Sequence, residues 1–482
     1  SAGQPWAYAP RSLKPIIDLE FALGVNRVVI HTSVHQPVDR PPGLSLFQYG
    51  QFFNRLESWA DEAGPWITYI ARCSYLLQQG RASADIAYFY GEEAPITGLF
   101  GDKRQSDIPP GYGFDFVDAD ALAHRLSVDH GDLVTASGMR YRLLYLGGNS
   151  SRMTLAVLRR LQALVEQGAV LVGSRPQSSP SLADDPANFA ATADALFGKG
   201  AHGKGRVFAT LAQALAALRL PPDFSYDKRD PDTQLMTLHR RLADGDLYFV
   251  SNRRDQPASV TATFRVATGI PELWDAVSGE IHRADFTRHD GQSAVTLALP
   301  AYGSVFVLFR GASDAPMQVA PATTTVAKLN GPWRIAFQPD RGAPAQITQT
   351  ALQSWSASKI PGVRYFSGTG SYTTNFDLPK TALGAHLWLD LGDVRELASV
   401  SLNGKDLGIV WTPPFRLDIT GAARPGRNVL TVRVTNLWVN RLIGDAQAGA
   451  QRYTFTTIPT YRADAPLRES GLLGPVLVRA AR

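Results

Sequence analysis

Two histidines, His31 and His35, sit four residues apart at the end of a short apolar run, with Gln36 beside the second. If the extended chain continues through them, both imidazoles point the same way. Imidazoles in that position can bond the hydroxyl groups of a ligand or hold a carboxylate in place. They can equally bond the backbone of neighbouring loops. Two histidines with no third ligand do not make a zinc site. Gln36 can donate and accept at adjacent hydroxyls, or fix its own loop. The next chemistry-bearing group is Asn54-Arg55-Leu56-Glu57. Glu57 is the carboxylate that follows this stretch and its loop directly. It can serve as a catalytic acid or base, bind a ligand or a cation, or pair as a surface charge with Arg55 or Arg72. Asn54 and Arg55 share the segment and its candidate binding role. Trp59 offers a flat apolar platform for a ligand, or a core residue at helical spacing, as does Trp66.

The elements around these residues predict how they are held. Val28-Val29-Ile30 ends abruptly in His31, Thr32, Ser33 and His35. That is how a buried strand of a (β/α)8 barrel reads at its carboxyl end, where such barrels do chemistry. Residues 12–23 carry apolar side chains at helical spacing and stop at Gly24. Residues 37–47 form a Pro- and Gly-rich loop, a natural wall for a substrate. From Gln48 to Gln79 the apolar spacing is helical, with Pro65 expected to kink or split the helix and Gly80 to end it. Residues 1–83 therefore read as the last β/α unit or units of a catalytic barrel, and the chain is expected to begin inside that domain.

The remainder divides by texture. Residues 84–230 alternate short apolar strands with helices, which predicts a parallel α/β sheet of flavodoxin-like type. Gly147-Gly148 there reads as a tight turn after a strand, since no phosphate-loop pattern follows it. Residues 231–311 are all strand-like, with a hairpin turn at Asp244-Gly245, and read as a small β-sandwich. Residues 312–326 are rich in Ala, Pro and Thr and read as a linker. Residues 327–482 alternate strands and turns, Asn403-Gly404 among them, and read as a galactose-binding-like β-jelly-roll. Arg364, Tyr365, Trp411, Trp438, Asn440 and Arg441 there have the chemistry to contact a carbohydrate, or to pack that unit onto its neighbour. Asp377, Asp390, Asp393 and Asp418 show no calcium-loop spacing.

A chain of 482 residues is long enough for three or four domains. The net charge of +5 is spread thinly, with no basic block, which argues against nucleic-acid binding. No run is long and apolar enough to span a bilayer. Cys73 is the one cysteine, so neither an internal disulfide nor a Cys-based metal site is possible.

Several runs are more specific. VNRVVIHTSVHQP, GQFFNRLESWADEAGPWITYIARCSYLLQQG, DIAYFYGEE, YLGG, VSLNGKDLGIVWTPPFRLDIT and VTNLWVNRLIGD resemble glycoside hydrolase family 106, the α-L-rhamnosidases. The resemblance covers nearly the whole chain, as the carboxyl-terminal half of a larger enzyme. It implies hydrolysis of terminal α-L-rhamnose from glycans or glycosides, with inversion, through two carboxylates. It also implies a calcium ion near the sugar, with metal ligands largely outside this chain and unidentified, and a periplasmic or secreted location. At least one carboxylate is expected upstream of Ser1, so the implied partners are a rhamnose-containing carbohydrate and the upstream half of the same protein. Two other classes stay open: a non-catalytic carbohydrate-binding or scaffold protein, and a glycosidase of other specificity, such as a β-galactosidase-like enzyme.

Overall fold

The computed structural model describes residues 5–45, 53–92, 106–198, 203–228, 230–317, 323–382 and 384–481. The amino-terminal block is built on two helices, α1 (Pro10–Ala22) and α2 (Gly64–Leu77). Pro10 opens α1, where its missing N–H costs nothing, and the Ser12 hydroxyl lies 3.0 Å from the Ala9 N–H. Gly24 leaves the helix at φ 106°. The helical spacing over 48–79 is only partly realised. Helix α2 starts at Gly64, and residues 53–62 make turns and a short 3₁₀ segment, Ala60–Glu62. Pro65 explains the boundary: inside a helix its ring would clash with the preceding turn, so it takes a first-turn place.

The apolar run 27–31 departs from expectation more sharply. Its backbone joins no sheet among the described residues. Exposure alternates along it: Val28, Ile30, Thr32, Val34 and Gln36 are half-buried, whereas Arg27, Val29, His31, Ser33 and His35 are exposed. Val29 is 90% exposed. Apolar content marks a stretch fit for a sheet interior, but a ladder needs a neighbour to exchange hydrogen bonds. The Phe53 N–H donates to the Thr32 carbonyl (3.1 Å), and so ties this stretch to the segment carrying Glu57.

Five parallel strands follow: Ile86–Phe89, Phe114–Val117, Leu143–Leu146, Val170–Val172 and Arg206–Phe208. The sheet runs second, first, third, fourth, fifth. Successive residues feed opposite cores. Ala87 and Phe89 pack under helices Leu155–Gln167 and Pro186–Phe197, and Ile86 and Tyr88 under Leu211–Ala217. Both faces are covered, as a parallel sheet requires. Beyond the Gly147-Gly148 turn, the start of helix Leu155–Gln167 is filled by the chain's own carboxylates. Thr154 N–H donates to Glu92 (2.5 Å) and Leu155 N–H to Asp184 (2.7 Å). The positive end of that helix is therefore taken, and the turn is structural.

Next come a four-stranded and a six-stranded antiparallel sheet enclosing one core, with Tyr248, Phe264, Val295 and Phe309 at its centre. Strand Arg81–Ala82 joins the edge of the six-stranded sheet. A buried charge cluster couples the parallel sheet to this sandwich. His239 lies 3.0 Å from Asp223 and 2.9 Å from Asp246, and Arg265 reaches both Asp85 (2.7 Å) and Asp223 (3.2 Å). Burial alone would lower the His239 pKa, but the two carboxylates outweigh it and raise it.

The last unit is a galactose-binding-like pair of sheets, four-stranded and six-stranded, around Trp333, Trp355, Tyr372 and Val432. Its first strand, Thr323–Lys328, begins within the stretch read as a linker and pairs with the last, Leu477–Ala481. Asn403 (φ 53°) and Gly404 (φ 81°) turn a hairpin between Leu397–Leu402 and Lys405–Val410.

The amino-terminal block lies between these two β units. Phe21 packs on Phe249 of the sandwich, and Trp66 and Tyr69 pack on Trp411 of the last unit. At the sandwich side Lys14 is 2% exposed and Asp18 fully buried. Lys14 Nζ donates to Asp18 (2.6 Å), to the Tyr302 carbonyl (2.9 Å) and to Ser304 Oγ (2.9 Å), so all three protons are used. The Tyr69 hydroxyl of α2 donates to the other Asp18 oxygen. Removing one member leaves the other charge buried and unpaired. Lys14→Met should lower stability by about 3–5 kcal/mol, read as a shift of the denaturation midpoint, whereas the Lys14→Met/Asp18→Leu pair should lose much less. Equal losses in the two variants would contradict this account.

Candidate functional site

The sequence-selected residues fall into an exposed group and a buried one. His31 and His35 lie on the exposed side of the extended stretch, without hydrogen-bond partners among the described residues. Gln36 fixes its loop: its Nε2 donates to the Leu44 carbonyl (2.8 Å) and its Oε1 accepts from the Leu44 N–H (2.9 Å). Gly43 sits against that amide at φ 90°, where a Cβ would collide with Gln36 Oε1. Arg55 donates to the Gln36 carbonyl (3.2 Å) and pairs with Asp39. The loop and the Glu57 segment are therefore one structure, while Gln36 and Arg55 spend donors on holding it.

The buried group sits beneath. Asn54 Oδ1 accepts from the Leu56 N–H (2.9 Å), and its Nδ2 is buried without a partner. Glu57 is 4% exposed. Its Oε1 accepts only a long bond from the Ser58 N–H (3.4 Å), and its Oε2 is buried and unbonded. Burial therefore pushes the Glu57 pKa well above the ordinary carboxylate range, with the Ser58 N–H opposing weakly. Trp59 is 1% exposed, donates to the Tyr8 carbonyl (3.1 Å) and packs on Phe53 at 5.7 Å, as core rather than platform. Glu62, not singled out by the sequence, is a further buried carboxyl of this block, besides Asp18 and Glu57. It lies 3.5 Å from Thr435 Oγ1, and burial raises its pKa while Arg433 opposes.

The candidates of the last unit serve mainly as packing. Trp411 is buried against Trp66, and Trp438 donates to the Leu56 carbonyl (2.9 Å), next to Glu57. Asn440 bonds the Arg468 backbone, and Arg441 pairs with Asp445 at 2.9 Å. Arg364 is exposed, its guanidinium 5.9 Å from the Tyr365 ring. Trp438 thus seats the last unit directly on the Glu57 segment. Between them and the 39–41 loop opens a cavity of about 900 Å³, lined by Arg40, Arg341, Tyr453, Phe455 and Tyr461 among others. The sequence carried no signal for it, because its walls come from three distant segments. Among the described residues, no group of three or more His, Cys, Asp or Glu could hold a metal ion.

A carboxyl held protonated by burial favours the folded state less and less as pH rises above its unfolded value. Glu57→Gln removes that dependence without changing shape. Its melting temperature should gain on the wild type as pH rises above the ordinary carboxylate range. Parallel pH profiles for the two proteins would contradict a buried Glu57 of raised pKa.

Known proteins resemble the chain over most of its length. The family model described as alpha-L-rhamnosidase, that of glycoside hydrolase family 106, matches residues 1–288, more than half of the chain. A galactose-binding-domain-like model of glycosyl hydrolase family 2 matches residues 365–468. The solved structure of a rhamnosidase from Novosphingobium sp. PP1Y is 48% identical and superposes with a TM-score of 0.91, over 99% of this chain and 46% of that one. A curated protein of Formosa agariphila, named "Putative beta-glucuronidase", is 25% identical over 98% of this chain and 62% of its own length. The chain thus spans under two thirds of either relative. On the family match over its amino-terminal 288 residues, the chain belongs to glycoside hydrolase family 106, the alpha-L-rhamnosidase family.

Proposed function

We propose that the protein containing this chain removes terminal α-L-rhamnose from glycans or glycosides by an inverting hydrolysis. The observation that carries this reading is the 48% identity to a rhamnosidase sustained over 99% of the chain. The chemistry of the block supports it. Inversion needs one carboxylic acid to protonate the leaving oxygen and one carboxylate to activate water. Glu57 has the environment of the first kind, a buried carboxyl whose pKa is raised chiefly by burial. The second carboxylate would come from the upstream half of the protein, the partner of this chain.

In this reading the stretch 27–31 is the last strand of a (β/α)8 barrel, with residues 1–83 as its closing unit or units. His31 and His35 then stand at the strand's carboxyl end, free to bond sugar hydroxyls. Gln36, Asn54 and Arg55 hold the loop beside them, and Trp59 supports the segment from the core. Residues 84–230 form a flavodoxin-like domain, a reading supported by the strand order second, first, third, fourth, fifth. Residues 231–311 form the sandwich, and the galactose-binding-like jelly-roll closes the chain. A calcium ion near the sugar finds no ligand set among the described residues, so no step runs through it here. A periplasmic or secreted location fits an enzyme acting on polymeric carbohydrate.

Proton NMR of the full-length protein with an aryl α-L-rhamnoside tests the reaction, with aryl β-galactoside and β-glucuronide as comparators. The reading expects rhamnose release alone, with the β-anomer appearing first. Glu57→Gln should lose roughly 10²-fold or more in kcat while staying folded. Release from another glycoside, or the α-anomer first, would overturn the reaction; unchanged kcat would remove Glu57 from it.

A further inference from the structure

The cavity between the 39–41 loop and the last unit is lined by a half-buried cation, Arg341, with Asp340 beside it. Arg341 follows the strand Trp333–Phe337 and lines the cavity. Its guanidinium lies over the Trp438 ring, 4.1 Å from the centroid, and its Nη1 is buried without a hydrogen-bond partner among the described residues. Burial pushes its pKa down to about 10, with Asp340 opposing. Leaving a charged N–H unpaired is costly, and native structures rarely do it without a reason.

The surrounding charges do not compensate it. Arg40 and Arg452 also line the cavity, with the Arg40 guanidinium 4.6 Å from the Phe455 ring centroid. Three aspartates line it as well, but two are already engaged. Asp39 pairs with Arg55. Asp445 accepts from Arg441 Nε (2.9 Å), the Tyr453 N–H (2.9 Å), the Thr454 N–H (2.8 Å) and the Thr454 hydroxyl (2.6 Å). Asp340 alone is left against three arginines, so the cavity carries a positive surplus. Its volume, about 900 Å³, takes one or two sugar units, and Tyr453, Phe455 and Tyr461 supply the aromatic walls that sugar rings favour.

We infer that this cavity binds a carboxylate-bearing sugar, a hexuronate unit, with the Arg341 guanidinium as its anion partner. A planar guanidinium stacked on Trp438 is already oriented, and its donor fork matches the two oxygens of a carboxylate. The 39–41 loop follows directly on His31–Gln36, so a uronate here would be a neighbour of the rhamnose in the reaction proposed above. The position relative to the cut bond rests on that reading, whereas binding rests on the cavity alone.

Calorimetric titration of the full-length protein with methyl β-D-glucuronide, methyl β-D-glucoside and glucose 6-sulfate tests it without any turnover. The glucuronide should bind at least about tenfold more tightly than the glucoside, and its affinity should fall with added salt. Arg341→Gln should abolish that preference. Arg341→Lys keeps a charge beside Trp438 but not the fork, and should lose severalfold in glucuronide affinity; it carries the test if the glutamine variant does not fold. Equal binding of acid and neutral sugar, no binding, tighter binding of the sulfate, or an unchanged preference in the folded variants would each overturn the inference. Rhamnose release by the same sample, measured separately, distinguishes failure of this site from failure of the proposed reaction.

Discussion

The buried pair Lys14–Asp18 fixes how the amino-terminal block is seated on the sandwich. It sits where α1, α2 and the sandwich meet, and Lys14 spends all three protons there. A surface ion pair would contribute little. This one is out of water, so its geometry must be kept or both charges become liabilities. Tyr69 extends the constraint from α1 to α2, and Trp66, stacked beside it, carries it to Trp411 of the last unit. The amino-terminal block is therefore clamped from two sides. The segment with Asn54, Glu57 and Trp59 runs into that clamp at α2, and Trp438 pins it again at Leu56.

On this clamped base the exposed chemistry is held by short local ties. Phe53 N–H to Thr32 carbonyl, Arg55 to the Gln36 carbonyl and the Gln36 amide to Leu44 fold the 27–44 stretch back on the Glu57 segment. Exposed histidines and a buried carboxyl of raised pKa thus belong to one small framework. The last unit contributes by packing: Trp438 bonds the Leu56 carbonyl next to Glu57, and residues 338–341 and 442–461 supply two walls of the Arg341 cavity.

Much of this was legible from residue order. The parallel α/β alternation of the second unit and the turn at Asn403-Gly404 follow from local rules and took the expected forms, whereas the hairpin expected at Asp244-Gly245 turns one residue earlier, with the Leu242 N–H donating to the Gly245 carbonyl (2.8 Å) and Gly245 already in the strand. What periodicity could not supply was partnership. Val28 to Ile30 reads as buried strand, yet Val29 is exposed because no described neighbour pairs with it. Phe53, Leu56 and Trp59 have helical spacing, yet Asn54 caps a turn there and Pro65 delays the helix to Gly64. Gln36 and Arg55 carry ligand-binding chemistry, and only the structure reveals that their donors are spent on the loop. Arg341 carried no signal in the sequence; its meaning depends on Trp438, far along the chain.

The central claim is that the 31–57 framework forms part of the sugar site of a rhamnose-removing enzyme. A crystal structure of the full-length protein with L-rhamnose bound tests it most directly. The account predicts sugar hydroxyls within about 3.2 Å of an imidazole nitrogen of His31 or His35, with the Glu57 segment forming the adjacent wall. Rhamnose bound at a site that neither histidine borders would contradict it.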